Sequence, residues 1–192
     1  MLLTHKTPVR INHDWKNTVS VLEHGIALVE SSSSKITKQY KYSDYGYHYE
    51  LGSAGTISHV TNGSSYWYNM TGPLIEKSMP FLPLMLSDLA ELEPTIVSVN
   101  KLVGNGAEHK DQPGQNTGFN YFINTTDSLT YVKDEDYMEV YPSIANTGWL
   151  LDIQKPHGID NKESRVWFNL RFAKPFAECK AWFEDNLVIV YG

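Results

Sequence analysis

The strongest regular signal in this chain is a series of short apolar runs, many alternating with a period of two, in its second half. Thr95 to Val103 opens the series with Ile96, Val97, Val99, Leu102 and Val103. The segments Gly118 to Asn124, Ser128 to Val132, Tyr137 to Tyr141, Gly148 to Asp152 and Arg165 to Phe172 continue it. Polar turn-forming pieces separate several of them, such as Lys133-Asp134-Glu135-Asp136 and Asp160 to Ser164. Short alternating runs between turn signals predict strands, and many of them at close spacing predict a sandwich or barrel. A jelly roll is among the natural solutions. The last run is two-faced. Val166, Phe168, Leu170 and Phe172 form an apolar side, while Arg165, Trp167, Asn169 and Arg171 form the other. If the apolar side packs against helices, the polar side must line a cavity or meet water.

The first half is less regular. Asp14 to Leu22 fits either the start of a helix or a strand. Tyr40 and Tyr42 alternate, as do Tyr45, Tyr47 and Tyr49, with Ser43-Asp44 shifting the register between the two sets. That pattern predicts either an aromatic-faced strand broken by a turn or bulge, or a loop that packs over a site. Leu74 to Leu92 reads as a helix despite Pro80, from the spacing of Leu84, Met85, Leu86, Leu89 and Leu92, with Pro83 in a first turn and Glu93-Pro94 as its end. Pro175 to Asn186 predicts a C-terminal helix with Phe176, Cys179 and Phe183 on one side, and Leu187 to Tyr191 a last strand. No repeat or linker divides the chain. The expectation is a single domain over 1–192: a mixed N-terminal portion (1–93), a β core (94–175) and a C-terminal helix and strand (176–192). The fold class is mainly β with flanking helices.

Composition narrows the partners. A chain of 192 residues with 41% hydrophobic and 20% charged side chains is long enough for one domain with a sizeable core. The formal net charge of -6 argues against a generic nucleic-acid or anionic-membrane surface. No run reaches transmembrane length. The single cysteine, Cys179, excludes an internal disulfide and favours a reducing compartment. Met1 to Lys6 leads straight into polar sequence without a secretion signal, so a cytoplasmic protein is expected.

The candidate chemistry lies in Gly104-Asn105-Gly106-Ala107-Glu108-His109-Lys110-Asp111. In an extended segment, residues two apart point to the same side, so His109 and Asp111 reach a common point. A third ligand is needed to hold a metal there, and His157, in Pro156-His157-Gly158, is the best candidate. Two histidines and one carboxylate with open positions make the donor set of non-haem Fe(II) oxygenases. Arg165 follows His157 by eight positions and suits a dicarboxylate, because guanidinium binds carboxylates bidentately.

In the strand before His109, the His-x-Asp, the distal His157 and the later Arg165, the chain resembles the Fe(II)/2-oxoglutarate-dependent oxygenases. The order and spacing from the first histidine to the arginine also look like the aspartyl/asparaginyl β-hydroxylase branch. Members of that branch sometimes lack the acidic ligand, whereas Asp111 is present here. The resemblance implies a double-stranded β-helix of cupin-like form. It implies Fe(II) on His109, Asp111 and His157, with 2-oxoglutarate as co-substrate, held by Arg165 or, failing that, Arg171. By position, Asn120 and Tyr121 are candidates for hydrogen bonding to the co-substrate, and Tyr131 and Trp149 for pocket lining or plain aromatic packing. Asp152 is either an acceptor that orients a ligand or a surface carboxylate. The implied reaction is hydroxylation of a C–H bond with dioxygen, on a protein or peptide side chain, an amino acid or a small metabolite. Two other classes stay open: a cupin-like metalloenzyme that uses these ligands without 2-oxoglutarate, and a metal-free jelly-roll binding module. The twelve tyrosines and five tryptophans suit a sugar-binding version of the latter.

Overall fold

A computed structural model of the chain describes residues 2–32, 34–186 and 189–192. The chain opens with β1 (Thr4–Lys6), β2 (Val9–Ile11) and helix α1 (Lys16–Glu30). Four strands follow: β3 (Lys38–Ser43), β4 (Gly46–Glu50), β5 (Thr56–Asn62) and β6 (Ser65–Thr71). Two short helices, α2 (Pro73–Lys77) and α3 (Leu82–Asp88), lead into the long β7 (Pro94–Val103). Then come β8 (Gly106–His109), β9 (Thr117–Phe122), β10 (Leu129–Asp134), β11 (Tyr137–Pro142), β12 (Gly148–Asp152), β13 (His157–Asp160) and β14 (Arg165–Phe172). Helix α4 (Phe176–Asp185) and β15 (Ile189–Tyr191) close the chain. Leu187 and Val188, which the sequence places in that last strand, lie outside the described residues.

The protein is mainly β. One nine-stranded sheet has the order β1-β12-β9-β14-β7-β6-β5-β4-β3, and a four-stranded sheet has the order β11-β10-β13-β8. β15 pairs with β2 in parallel. Strand β14 sits centrally in the large sheet, antiparallel to β7 on one side and β9 on the other. Its apolar residues Phe168, Leu170 and Phe172 are wholly buried. They join a core with Leu22 and Ile26 of α1, Met85 of α3 and Cys179 and Phe183 of α4. The helices therefore cover one face of the large sheet, as the alternation in β14 requires. On the other face, Leu102, Phe122 and Trp167 pack against Val132, Tyr141 and Ile159 of the small sheet. No helix among the described residues is long and apolar enough to cross a membrane.

One segment differs from the sequence expectation, and two others settle between alternatives it left open. Leu74 to Leu92 is not one helix. α2 ends at Lys77, α3 begins at Leu82, and Pro80 lies between them. A proline's ring and missing N–H break the helical ladder at such a point. Asp14 to Leu22 resolves as the entry to α1, whose buried side is Thr18, Leu22, Gly25, Ile26 and Val29. The tyrosine-rich stretch is the hairpin β3–β4, with an irregularity between Lys41 and Ser43 where the alternation shifts. β5 and β6 extend the large sheet toward that hairpin and lack a clean apolar alternation, because His59 and Thr61 share the helix side with Ile57 while Val60 and Trp67 sit among polar residues on the other side.

Phe168 is fully buried against Trp15 and Phe81, with ring centroids at 6.1 and 6.0 Å. Phe168→Ala is expected to cost about 3–5 kcal/mol, from lost transfer energy plus the cavity left behind. Tyr45→Ala, at a position 63% exposed, should cost well under about 1 kcal/mol. Equilibrium urea unfolding measures both.

Candidate metal centre

His109 ends β8 and His157 begins β13, and the two are direct cross-strand partners. That register, with a bulge one step further along, brings their ring centroids to 4.4 Å. Each ring is fixed by its own backbone. His109 Nδ1 lies 2.9 Å from the Ala107 carbonyl, and His157 Nδ1 lies 2.9 Å from the Lys155 carbonyl. A carbonyl only accepts, so both Nδ1 atoms carry the proton, and in the neutral rings both Nε2 atoms present lone pairs.

Those lone pairs face the same oxygen. Asp111 Oδ1 is 3.3 Å from His109 Nε2 and 3.5 Å from His157 Nε2. Asp111 is placed by its backbone, whose N–H donates to the Ile153 carbonyl at 3.0 Å. Gln154 ties the same loop down by donating from Nε2 to the carbonyls of Gln112 and Gln115 at 3.3 and 2.7 Å. The three ligand atoms lie within 4.8 Å of one another, and this is the sole such group of three or more His, Cys, Asp or Glu among the described residues. His5, His13, His24, His48 and His59 lie outside it. Three acceptors converging on one point repel unless a cation or a proton sits among them.

Asp111 has a second partner. Arg171 Nε donates to its other oxygen, Oδ2, at 2.8 Å, with both side chains largely buried. Burial disfavours the Asp111 carboxylate, but the hydrogen bonds that His109 and His157 donate when a proton sits on Nε2, together with the Arg171 charge, outweigh it and hold its pKa far below the ordinary carboxylate value. Burial likewise pushes the His109 imidazole down, while the Asp111 and Ala107 hydrogen bonds push it up, and the net shift is upward. Gly118 makes room for Arg171: a Cβ there would sit 2.5 Å from Arg171 Nη1 and 2.9 Å from side-chain carbons of Ile153 and Leu151.

Arg165 sits elsewhere on the same face of β14. It is fully buried. Nη1 donates to Thr130 Oγ1 at 2.7 Å, and the guanidinium carbon lies 4.6 Å from the ring centres of both Phe122 and Trp167. Among the described residues its Nε and Nη2 have no hydrogen-bond partner. Burial lowers its pKa to about 10, so it remains a cation at neutral pH. Asn120 lies on this face too. It donates to Tyr141 Oη at 3.1 Å and accepts from Asn169 Nδ2 at 2.6 Å. Ring contacts join the two regions: Trp67 lies 5.8 Å from His109 and 5.5 Å from Trp167.

The structure brings His109, Asp111 and His157 together and places Asn120 and Arg165 on the adjoining sheet face. Tyr121 is a correction. It points to the helix side of the sheet, where its Oη accepts the Ile11 N–H at 3.0 Å. The period of two that turns Asn120 inward necessarily turns its neighbour outward. Asp152 accepts the Gln154 N–H at 3.1 Å and shapes a turn. Trp149 stacks on Tyr141 at 4.8 Å, and Tyr131 packs over Gly158, where a Cβ would meet its hydroxyl at 2.4 Å. Sequence reasoning did not assign the Arg171–Asp111 pair or the place of Trp67. The polar alternation of β14 was a signal for the first, and nothing in the local pattern was a signal for the second.

No family model matches the chain, and no curated protein matches it. Solved structures do show a distant likeness. An oxidoreductase of the 2OG-Fe(II) oxygenase family from Burkholderia pseudomallei is 12% identical, with a TM-score of 0.44 over 79% of this chain and 79% of that one. A prolyl hydroxylase from Trichoplax adhaerens, in complex with a hypoxia inducible factor oxygen degradation domain peptide fragment, is 13% identical, with a TM-score of 0.46 over 86% and 80% of the two chains. A Pseudomonas putida prolyl-4-hydroxylase is 8% identical, with a TM-score of 0.42 over 88% and 91%.

Two outcomes test the site. Arg171→Ala frees the Asp111 carboxylate and should weaken Fe(II) binding about 10–100-fold, the usual effect of losing a group that orients a ligand. Gly118→Ala should act in the same direction by displacing Arg171. Isothermal titration under anaerobic conditions reads both. A metal must also displace the His109 proton, whose pKa is raised. Apparent iron affinity should therefore begin to fall, on acidification, above the ordinary imidazole pKa of about 6.5.

Proposed function

We propose that this chain is an Fe(II)- and 2-oxoglutarate-dependent oxygenase that hydroxylates a C–H bond. The observation that carries the reading is the convergence of three acceptor atoms, His109 Nε2, His157 Nε2 and Asp111 Oδ1, with no protein cation among them. Arg171 is paired to the far oxygen of the carboxylate instead. Two imidazoles and one carboxylate oxygen form a donor set that suits Fe(II) and leaves coordination positions for other ligands.

Arg165 supports the co-substrate. A buried cation without an anion costs several kcal/mol, and among the described residues this one keeps two N–H-bearing atoms free of hydrogen-bond partners. A carboxylate arriving there would satisfy both, and guanidinium geometry suits it. Thr130 already orients the guanidinium through Nη1. Asn120, held by Asn169 and Tyr141, offers its amide on the same face. A cupin-like enzyme working without 2-oxoglutarate has no use for this buried, half-satisfied arginine.

When bound, iron with 2-oxoglutarate and dioxygen supplies the oxidation: one oxygen atom enters the substrate C–H bond, the other enters succinate, and CO2 leaves. The chain's own residues bind and orient. His109 and His157 offer Nε2, and their Nδ1 bonds to backbone carbonyls fix the rings. Arg171 holds Asp111 so that one oxygen is left for the metal. Trp67 packs against both His109 and Trp167, and Trp167 in turn packs against the Arg165 guanidinium. The proposed fold is a double-stranded β-helix of cupin-like form, with residues 94–175 as its core within one domain spanning 1–192.

The test is an anaerobic titration of metal-free protein with Fe(II) and then 2-oxoglutarate, watching for the visible charge-transfer band of the chelate. The band should appear in the native chain and vanish in His157→Ala. In Arg165→Ala it should need about 10–100-fold more 2-oxoglutarate, since a charged hydrogen-bonding pair contributes about 1.5–3 kcal/mol. Iron binding with no band at any 2-oxoglutarate concentration would remove the co-substrate from the proposal. Failure to bind iron at all would remove the enzyme reading.

A further inference from the structure

The metal centre is one end of a larger depression. The face of the large sheet that carries Arg171 continues over β6, β5 and β4. A cavity of about 930 Å³ lies over it, with His109 and Arg171 at one end and Thr56, Ser58 and His48 at the other.

Strand register explains its floor. Directly opposed residues of an antiparallel sheet share a face. His48, Ser58, Asn69, Asn100 and Trp167 oppose one another in turn across β4, β5, β6, β7 and β14. His48, Ser58 and Asn69 line the cavity with hydrogen-bonding groups beside the apolar Val60, Ile96, Val97 and Leu102, and Asn100 is buried beneath them. His48 Nδ1 lies 3.2 Å from Ser58 Oγ, and Asn69 Nδ2 donates to Asn100 Oδ1 at 2.7 Å. Trp67 Nε1 donates to the same Asn100 oxygen at 3.2 Å while its ring packs edge-on to His109. The row thus leads from the outer strands to the metal centre, with Trp67 as the step between them.

Charge and edges choose the occupant. Outside the cluster of His109, Asp111 and Arg171, the charged residues among the described lining are Glu76 and Lys110, which are of opposite sign. A polyanion or polycation would leave its charges desolvated and unmatched there. One border of the depression is β8, the last strand of the small sheet, which contributes Gly106 and Ala107 to the lining. Its outer edge has no strand partner among the described residues. Free strand edges pair with the backbone of another extended chain. A saccharide would use the amides and hydroxyls of the floor but has no use for a strand edge, whereas a peptide uses both.

We infer that this depression is the substrate groove and that its substrate is an extended polypeptide segment with uncharged side chains, one of which is presented to the metal centre. The inference rests on the oxygenase reading. From β4 to β7 the floor spans about 14 Å at ordinary inter-strand spacing, which about four or five extended residues cover.

A displayed library of random peptides of about eight residues, long enough to overreach the floor, tests it on the full chain. Selected sequences are then synthesised and their affinities measured by fluorescence polarisation, against the native chain and against Ser58→Arg and Asn62→Arg. Both positions line the cavity away from the metal centre, and thermal melts report whether each variant is folded. The expected result is enrichment of uncharged sequences, at least tenfold weaker binding by both folded variants, and an unchanged Fe(II)/2-oxoglutarate band in them. Enrichment of charged sequences, no enrichment, or equal affinity in the variants would overturn the inference while leaving the oxygenase reading intact. So would binding of neutral oligosaccharides in place of peptides. Peptide binding by a chain that takes up no iron would instead remove the oxygenase reading and keep the groove.

Discussion

Strand β14 must bury both of its faces, and most of the molecule follows from how it does so. It lies between β7 and β9, with the helices on one side and the small sheet on the other. The apolar face is satisfied by ordinary packing against α1, α3 and α4. The other face carries Arg165, Trp167, Asn169 and Arg171, three of them polar, and all but Arg171 lie in the most buried class. Polar groups taken out of water need partners. Asn169 finds Asn120 and the Phe119 carbonyl, and Arg171 finds Asp111. The metal centre is thus continuous with the hydrogen bonding that lets this strand be central.

The two arginines solve the same problem differently. Arg171 is neutralised by a carboxylate, and the pair doubles as a brace for a metal ligand. Arg165 is enclosed by Phe122, Trp167 and Thr130 with no anion in contact. Aromatic faces and one hydroxyl offset part of its desolvation, and two nitrogens stay unsatisfied. Strain of this kind is tolerated where the fold around it is strongly determined, and the core on the helix side of the same strand supplies that determination. Both arginines thus sit on the same face of one central strand.

The extension β6-β5-β4-β3 adds a polar floor beside the metal centre. Its outermost strand, β3, is exposed throughout and carries Lys38 and Lys41, charges that discourage another chain from pairing there. Hydrogen bonds tie His48 to Ser58 and Asn69 to Asn100 across these strands, while the helices beneath bury Ile57, Tyr68 and Met70 on the reverse.

By itself the sequence determined the β core, the two faces of β14 and the three residues that could hold a metal. These are local facts: a period of two sorts side chains by face, and His109, Asp111 and His157 differ in kind from their surroundings. It also contained the split between Asn120 and Tyr121, since adjacent strand residues cannot share a face. Only the tertiary structure decided which polar groups meet. The pairing of β8 with β13 sets His109 opposite His157 across 48 positions of chain. Arg171 reaches Asp111 and Arg165 reaches none, although both lie on one alternating face, because partner choice depends on what the facing sheet brings. β5 was illegible because each of its faces mixes apolar and polar residues, Ile57 beside His59 on the helix side and Val60 beside Ser58 on the other.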